Sequence, residues 1–384
     1  MDSNNLRVSG LSGNGLYCAH LLGYNPGNLL VGNSVFSLGV IGSIRSGIRT
    51  AVGGEIAAVT NMIAEGRRLS FDRFNKELVA SGGSGAIGVK NELVFHPGNI
   101  EFLTIGSAVS DTINRNMNLF STSADAQELF CQWDGGYQPV SFVFGNVAYS
   151  IGIVKGVFGG FKKLIKGEVK QYSDIFNSTR NLALQRIIAE AKSKGANSVL
   201  GINTTILPIG SIEVQEMVML GTASFNPSIS NLINSVGGII SSNLTAEEVW
   251  NVTKMNYIPL KLVLGTSVYS LGFIGGIKAT LSNLVKGEIN SLTELIYGAR
   301  EESINKVKNQ ALEIGADDVL GIKNYIYDLG DGLVEFLSIG TAVKKVEGIS
   351  THSPQLPPQA ITRDRETFLD LANIPYGFAV QKKV

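Results

Sequence analysis

The stretch AKSKGANSVLGI, Ala191 to Ile202, reads as the last turn of a helix, a glycine stop and the opening of a buried strand. It returns as ALEIGADDVLGI, Ala311 to Ile322, so that Gly201 and Gly321 stand 120 residues apart. In the other direction, SGGSGAIGV places Gly88 113 residues before Gly201. Self-similarity at fixed offsets precedes any count of domains, because a repeated unit decides the fold.

The same two offsets align positions along much of the chain. Tyr24, Tyr137 and Tyr257 correspond, as do Pro26, Pro139 and Pro259, and Gly32, Gly145 and Gly265. Gly54-Glu55, Gly167-Glu168 and Gly287-Glu288 fall in register, followed by Arg67, Arg180 and Arg300. Each copy closes on a strand, EFLTIGSAV with Glu101, EMVMLGTAS with Glu216 and EFLSIGTAV with Glu335. The chain therefore divides into an arm (1–11), a divergent first repeat (12–115), a second (123–228), a third (243–346) and a tail (347–384).

The unit is legible from pattern. In TAEEVW, Thr245 is placed to cap a short helix, with Glu248 as its capping-box partner. A Tyr-x-Pro turn follows, then an apolar strand such as VSFVFGNVAYSIGIV. From Gly167 to Lys194, Tyr172, Phe176, Leu184, Ile187 and Ala191 recur at helical spacing, and Gly195 ends the helix. SVLGINTTI and IEVQEMVMLGTAS then make a hairpin. The fold class is α+β, three tandem β-α-β-β units, each a long helix on a small antiparallel sheet. Such a unit leaves a sheet face and edges uncovered.

Bulk properties fit a chain that buries those faces. Its 384 residues carry 32 basic and 32 acidic side chains, so no net charge favours nucleic acid or an anionic membrane. Charged residues are 17%, against about 25% in ordinary soluble domains. The mean hydropathy is +0.17, yet no stretch reaches the roughly 18 apolar residues of a spanning helix. The opening MDSNNLRVSG lacks the pattern of a secretory signal, and two cysteines do not make a disulfide framework. The expectation is a cytoplasmic, oligomeric protein, in which the sequons at Asn177, Asn203, Asn243 and Asn251 are chance matches.

The strand running into GIVKGVFGGFKKLIKGE, the long helix, the A-x-x-x-GANSVLGI element and the terminal GTA strand resemble the YbjQ-like family, also called DUF74 or UPF0145. Copies two and three match best; copy one has SGGSGAIG in place of the Gly-Ala-Asn element. The resemblance implies dodecin-like domains that assemble as homopentameric rings. The chain would then be a self-assembling scaffold, a ring or larger shell built from three domains per chain.

The family's heavy-metal label raises a second reading, a metal-ion or small-ligand site at the ring axis. Only Cys18, His20 and Cys131 offer soft ligands near one another in the pattern, half a site at best, and free cysteine usually serves as a small buried hydrophobe. No metal and no cofactor is expected. The repeated Arg67, Arg180 and Arg300, with Glu101, Glu216 and Glu335 and with Glu55, Glu168 and Glu288, are stronger candidates. They could line an axial channel, or pair Arg to Glu between neighbouring units to fix register; the pair is the preferred reading. Gly88, Gly195, Gly201, Gly315 and Gly321 are structural glycines.

Lys162, Lys163 and Lys166 lie in a glycine-rich stretch that lacks P-loop order. A peripheral membrane adaptor is a third reading, disfavoured because copy three has fewer lysines there. Three histidines, none at equivalent positions, assemble no catalytic triad, and the expected protein is not an enzyme. The tail, with SPQLPPQ as an extended linker, could pack on its own repeats, bind a protein partner or exchange between neighbours.

Overall fold

The computed structural model describes residues 6–37, 39, 55–115, 118–150, 167–209, 214–230, 238–270, 290–330 and 333–361. Unit 1 runs α1 (Gly13–Leu21), β1 (Tyr24–Ser37), α2 (Ala57–Ala80), β2 (Gly85–His96) and β3 (Asn99–Asp111). Unit 2 runs β4 (Phe120–Ser121), α3 (Ala126–Asp134), β5 (Gln138–Ser150), β6 (Gly167–Glu168), α4 (Lys170–Ser193), β7 (Ser198–Pro208) and β8 (Val214–Phe225). Unit 3 runs β9 (Ile240–Ser241), α5 (Ala246–Lys254), β10 (Tyr257–Ser270), α6 (Asn290–Glu313), β11 (Asp318–Gly330) and β12 (Leu333–Lys345). The fold is α+β, one β-α-β-β arrangement made three times.

The sheets have the orders β1-β3-β2-β4, β5-β8-β7-β9 and β11-β12-β10-β6. In each unit the closing strand is central and antiparallel to both neighbours. The long helix crosses the face at the repeated glycine. A Cβ on Gly145 would lie 2.2 Å from the Ala183 carbonyl oxygen, and one on Gly32 the same distance from that of Ser70. Only a residue without a side chain lets helix and strand approach so closely. Capping boxes open α3 and α5, Asp125 with Glu128 and Thr245 with Glu248.

The long helices α2 and α4 each serve two units. The C-terminal half of α2 packs Phe71, Phe74 and Leu78 with Leu30, Val89 and Ala108 of its own sheet. The N-terminal half places Val59 and Ile63 in one cluster with Ala148 and Val214 of unit 2. In α4, Tyr172 and Phe176 share a core with Leu264, Val268 and Leu329 of unit 3. A helix with two apolar faces has little polar surface to give to water, which accounts for the low charge content.

Two expectations change. The helix begins at Lys170, and Gly167–Glu168 instead form β6, pairing antiparallel with Tyr269 and Ser270 of the next unit. At φ +139° Gly167 cannot be helical, and Val169 N–H donates to the Val268 carbonyl at 2.8 Å rather than into a helical turn. The Tyr-x-Pro segment is not a turn but the first residues of the strand. Each register break lies directly after Pro26, Pro139 or Pro259, where the ring nitrogen cannot join the ladder.

Among the described residues no helix is long and apolar enough to cross a membrane.

Candidate functional site

The junction between consecutive units is the most elaborated site in the chain. Its centre is an arginine from one unit and a glutamate from the next. Arg67 donates from Nε and Nη2 to the two oxygens of Glu216, at 3.2 and 2.7 Å. Its Nη1 donates to the Asn91 side-chain oxygen at 2.6 Å. Arg180 repeats the fork on Glu335 at 3.1 and 2.7 Å, with Nη2 also donating to the Tyr149 hydroxyl at 2.8 Å. All four charged residues are 0% exposed. Burial works to discharge the Arg180 guanidinium, but the oxygens of Glu335 and Tyr149 outweigh it and hold its pKa above the ordinary value. Burial also pushes the Tyr149 phenol up, so that the hydroxyl stays protonated.

The backbone closes each junction on both sides of the ion pair. The Ala148 and Val268 N–H groups donate to the hydroxyls of Thr60 and Ser173, at 2.9 and 2.8 Å. Gly88 and Gly201 supply the second set. At φ +63° and +62° each forms a bulge that turns two N–H groups out of the sheet. Gly88 and Val89 donate to the Ala124 and Thr122 carbonyls at 2.8 and 2.9 Å, and Gly201 and Ile202 to those of Leu244 and Ser242 at 3.2 and 2.8 Å. The phrase that repeats in the sequence is thus the bulge that grips the next unit. Gly195 and Gly315, at φ +76° and +69°, terminate α4 and α6.

Other candidates are placed as follows. Glu55 pairs with Arg186 of unit 2 at 2.8 Å and Glu168 with Lys306 of unit 3 at 3.0 Å, so both acids also bridge units. Glu288, the lysines at 162, 163 and 166 and the tail beyond 361 lie outside the described residues. Glu101 and Arg300 are not brought together. Glu101 accepts from His96 at 2.8 Å and from Asn33 at 3.0 Å, which hold its carboxyl below the ordinary carboxylate range. Arg300 is exposed. Tyr149 and Asn91 went unnoticed in the sequence, since neither is kept in all three copies: their counterparts are Phe36 and Tyr269, and Thr204 and Asn324.

The short helices pack against one another, with Cys18, Cys131 and Trp250 in one apolar cluster. Burial, with Asp125 nearby, pushes the Cys18 thiol up to about 11. His20 is exposed, and no group of three or more potential metal ligands occurs among the described residues. The start of the tail rests on this cluster, burying Leu356 and Ala360, while Asp134 accepts from Trp250 Nε1 at 2.7 Å and from the Ser353 hydroxyl at 2.5 Å.

The family model described as "Putative heavy-metal-binding" (YbjQ) matches residues 26–111, 137–225 and 244–346, most of the chain. The chain belongs to the YbjQ-like family. Among its relatives, the "Encapsulin nanocompartment protein Rv1762c" of Mycobacterium tuberculosis is 27% identical over 258 residues, 65% of this chain and 95% of that protein. A UPF0145 protein of Colwellia psychrerythraea is 36% identical over 86 residues, 22% of this chain and 79% of that protein. One from Psychromonas ingrahamii is 37% identical over the same length. The two UPF0145 proteins match about one YbjQ-like unit, the length of one repeat here.

Proposed function

We propose that this YbjQ-like chain is a structural protein that self-assembles into a homo-oligomer, a ring or a larger shell, and does no catalysis. One observation carries the reading: the same unit-to-unit junction is built twice within the chain, with a buried ion pair, apolar contacts and backbone bonds each time. A surface shaped to receive its own kind is the material of assembly. Apolar burial supplies the affinity, while a buried ion pair roughly breaks even energetically and instead sets register. The name of the mycobacterial relative, a nanocompartment protein, supports the same reading. Five chains is the number that the family resemblance implies.

The mass of the native particle in solution tests it. A discrete multiple of 40.9 kDa supports assembly, and five chains would give about 205 kDa. A species of one chain at all concentrations up to about 100 µM, a range that would reveal even weak association, sinks the proposal.

A further inference from the structure

We infer that unit 1 of one chain docks on unit 3 of a second copy, making a third junction of the kind already made twice, with Arg300 on Glu101 at its centre. The inference rests on the assembly reading and adds the two surfaces, the pairing and the polarity.

Unit 3 presents the residues of the donor half. In unit 1 the residue that holds Arg67 is Asn91, itself fixed by Ser70 at 3.1 Å and Thr104 at 2.7 Å. Unit 3 has a like trio at the same repeat positions, with serine in place of Thr104: the Asn324 oxygen accepts from Ser338 at 2.7 Å, where the Asn91 oxygen accepts from Arg67, and Ser338 meets Ser303 at 2.7 Å. Beside them stands Arg300, the counterpart of Arg67, exposed and facing no carboxylate among the described residues. Unit 2, whose arginine is held by Tyr149, lacks the trio and has Ala183, Thr204 and Met219 at those positions. With Ser303 and Ser338 each 1% exposed and Asn324 open to the surface, unit 3 keeps at its docking face the residue set that holds Arg67 in unit 1.

Unit 1 presents the acceptor half. Val31 and Val35 on β1 are 46% and 57% exposed, whereas their counterparts Phe144 and Ala148 are 7% and 0%, and Leu264 and Val268 both 0%. The counterparts lie in the cores shared with the preceding unit's helix. Glu101, opposite Val35 in the β1–β3 ladder, holds the register position of Glu216 opposite Ala148 and Glu335 opposite Val268. Contact with Arg300 would replace its exposed bond to His96.

The backbone makes the same statement independently. β4 and β9 lie parallel on Gly85–Ala86 and Ser198–Val199, the preceding unit's sheet. The matching residues of unit 1 are Arg7 and Val8, exposed, and the matching edge of unit 3 is Asp318–Val319, where β11 ends its sheet. The arm is already in register, since Gly10 N–H donates to Ser107 as Asn243 N–H does to Thr341. Ile322 is 40% exposed at the bulge where Ile202 is 2% exposed. Its N–H and that of Gly321 are expected to reach the Ser9 and Leu11 carbonyls of the second copy. Ion pair, apolar row and added strand all point the same way, so the contact is head-to-tail, and a head-to-tail contact closes into a ring or continues as a filament.

The test is light scattering or native mass spectrometry on four full-length proteins: unmodified, Arg300→Glu, Glu101→Arg and the double variant. Both positions are at least partly exposed, and circular dichroism melts check that folding is unchanged. Each single variant sets like charges against each other at the junction and is expected to weaken association by roughly 100-fold or more. The double variant restores opposite charges and should reassemble to the unmodified mass. Assembly of both single variants at the unmodified mass and concentration dependence would overturn this junction while leaving self-assembly standing. Single variants that dissociate with no recovery in the double would also overturn the pairing. An unmodified chain that never exceeds 40.9 kDa would remove the assembly reading and this one together.

Discussion

Removing Glu335 should cost far more than an ordinary ion pair is worth. The carboxylate takes two hydrogen bonds from Arg180, both residues are 0% exposed, and Arg180 Nη1 has no hydrogen-bond partner among the described residues. In Glu335→Ala the guanidinium keeps the Tyr149 hydroxyl at 2.8 Å and the ring faces of Tyr149 and Phe176 at 4.2 and 5.4 Å, but no carboxylate oxygen. An uncompensated buried charge of this kind costs about 3–5 kcal/mol, comparable with the lower end of a whole domain's stability, about 5–15 kcal/mol. Arg180→Met leaves the converse defect and a similar loss. The double variant Arg180→Met/Glu335→Leu removes both charges and should lie within about 1–2 kcal/mol of the unmodified chain, or above it. Urea unfolding followed by the fluorescence of Trp133 and Trp250, at one fixed protein concentration, measures all four. Single variants that lose less than about 1 kcal/mol, or a double variant as unstable as the sum of the singles, would refute the claim that the pair is dry and mutually dependent.

Transplanting the unit 1 cradle into unit 2 should show strong coupling. Thr204→Asn alone buries an amide whose donors have nothing to meet, whereas with Ala183→Ser and Met219→Thr it gains the partners that Asn91 has; a cycle of thermal melts is expected to give about 1–3 kcal/mol of favourable coupling, and none would mean that the cradle does not act as a unit. Gly145→Ala drives a methyl into the Ala183 carbonyl and the Ile187 amide, at 2.2 and 2.5 Å, and should cost about 3 kcal/mol or more in urea unfolding; a neutral result would show that the helix can slide away. With its pKa pushed up to about 11 and its sulfur buried, Cys18 is about 0.1% thiolate at pH 8. Native protein should therefore react negligibly with iodoacetamide, while both cysteines label in 6 M guanidinium, and rapid native labelling at Cys18 would contradict its burial.

Part of this molecule was determined by local sequence. Helical spacing around Phe176 and Ile187, the Thr245 and Glu248 capping box and the recurring glycines each concern neighbours a few residues apart, and a three-fold repetition makes every such signal visible three times. They are enough for the unit, its order of elements and its number of copies. The Tyr-x-Pro segment misled because a proline that opens a strand at a bulge and one that makes a turn look alike until the partner strand is in place.

The pairing of the charges was decided by tertiary structure. Sequence shows three arginines and three glutamates in register and favours pairing between neighbouring units, but it does not say which arginine meets which glutamate. The fold instead joins Arg67 to Glu216 across 149 residues and Arg180 to Glu335 across 155, because the N-terminal halves of α2 and α4 lie between their own sheet and the next. That bridging gives the chain its direction and leaves Glu101 at one end and Arg300 at the other. No local periodicity encodes it, since it arises only where strand, helix and hairpin from two units meet.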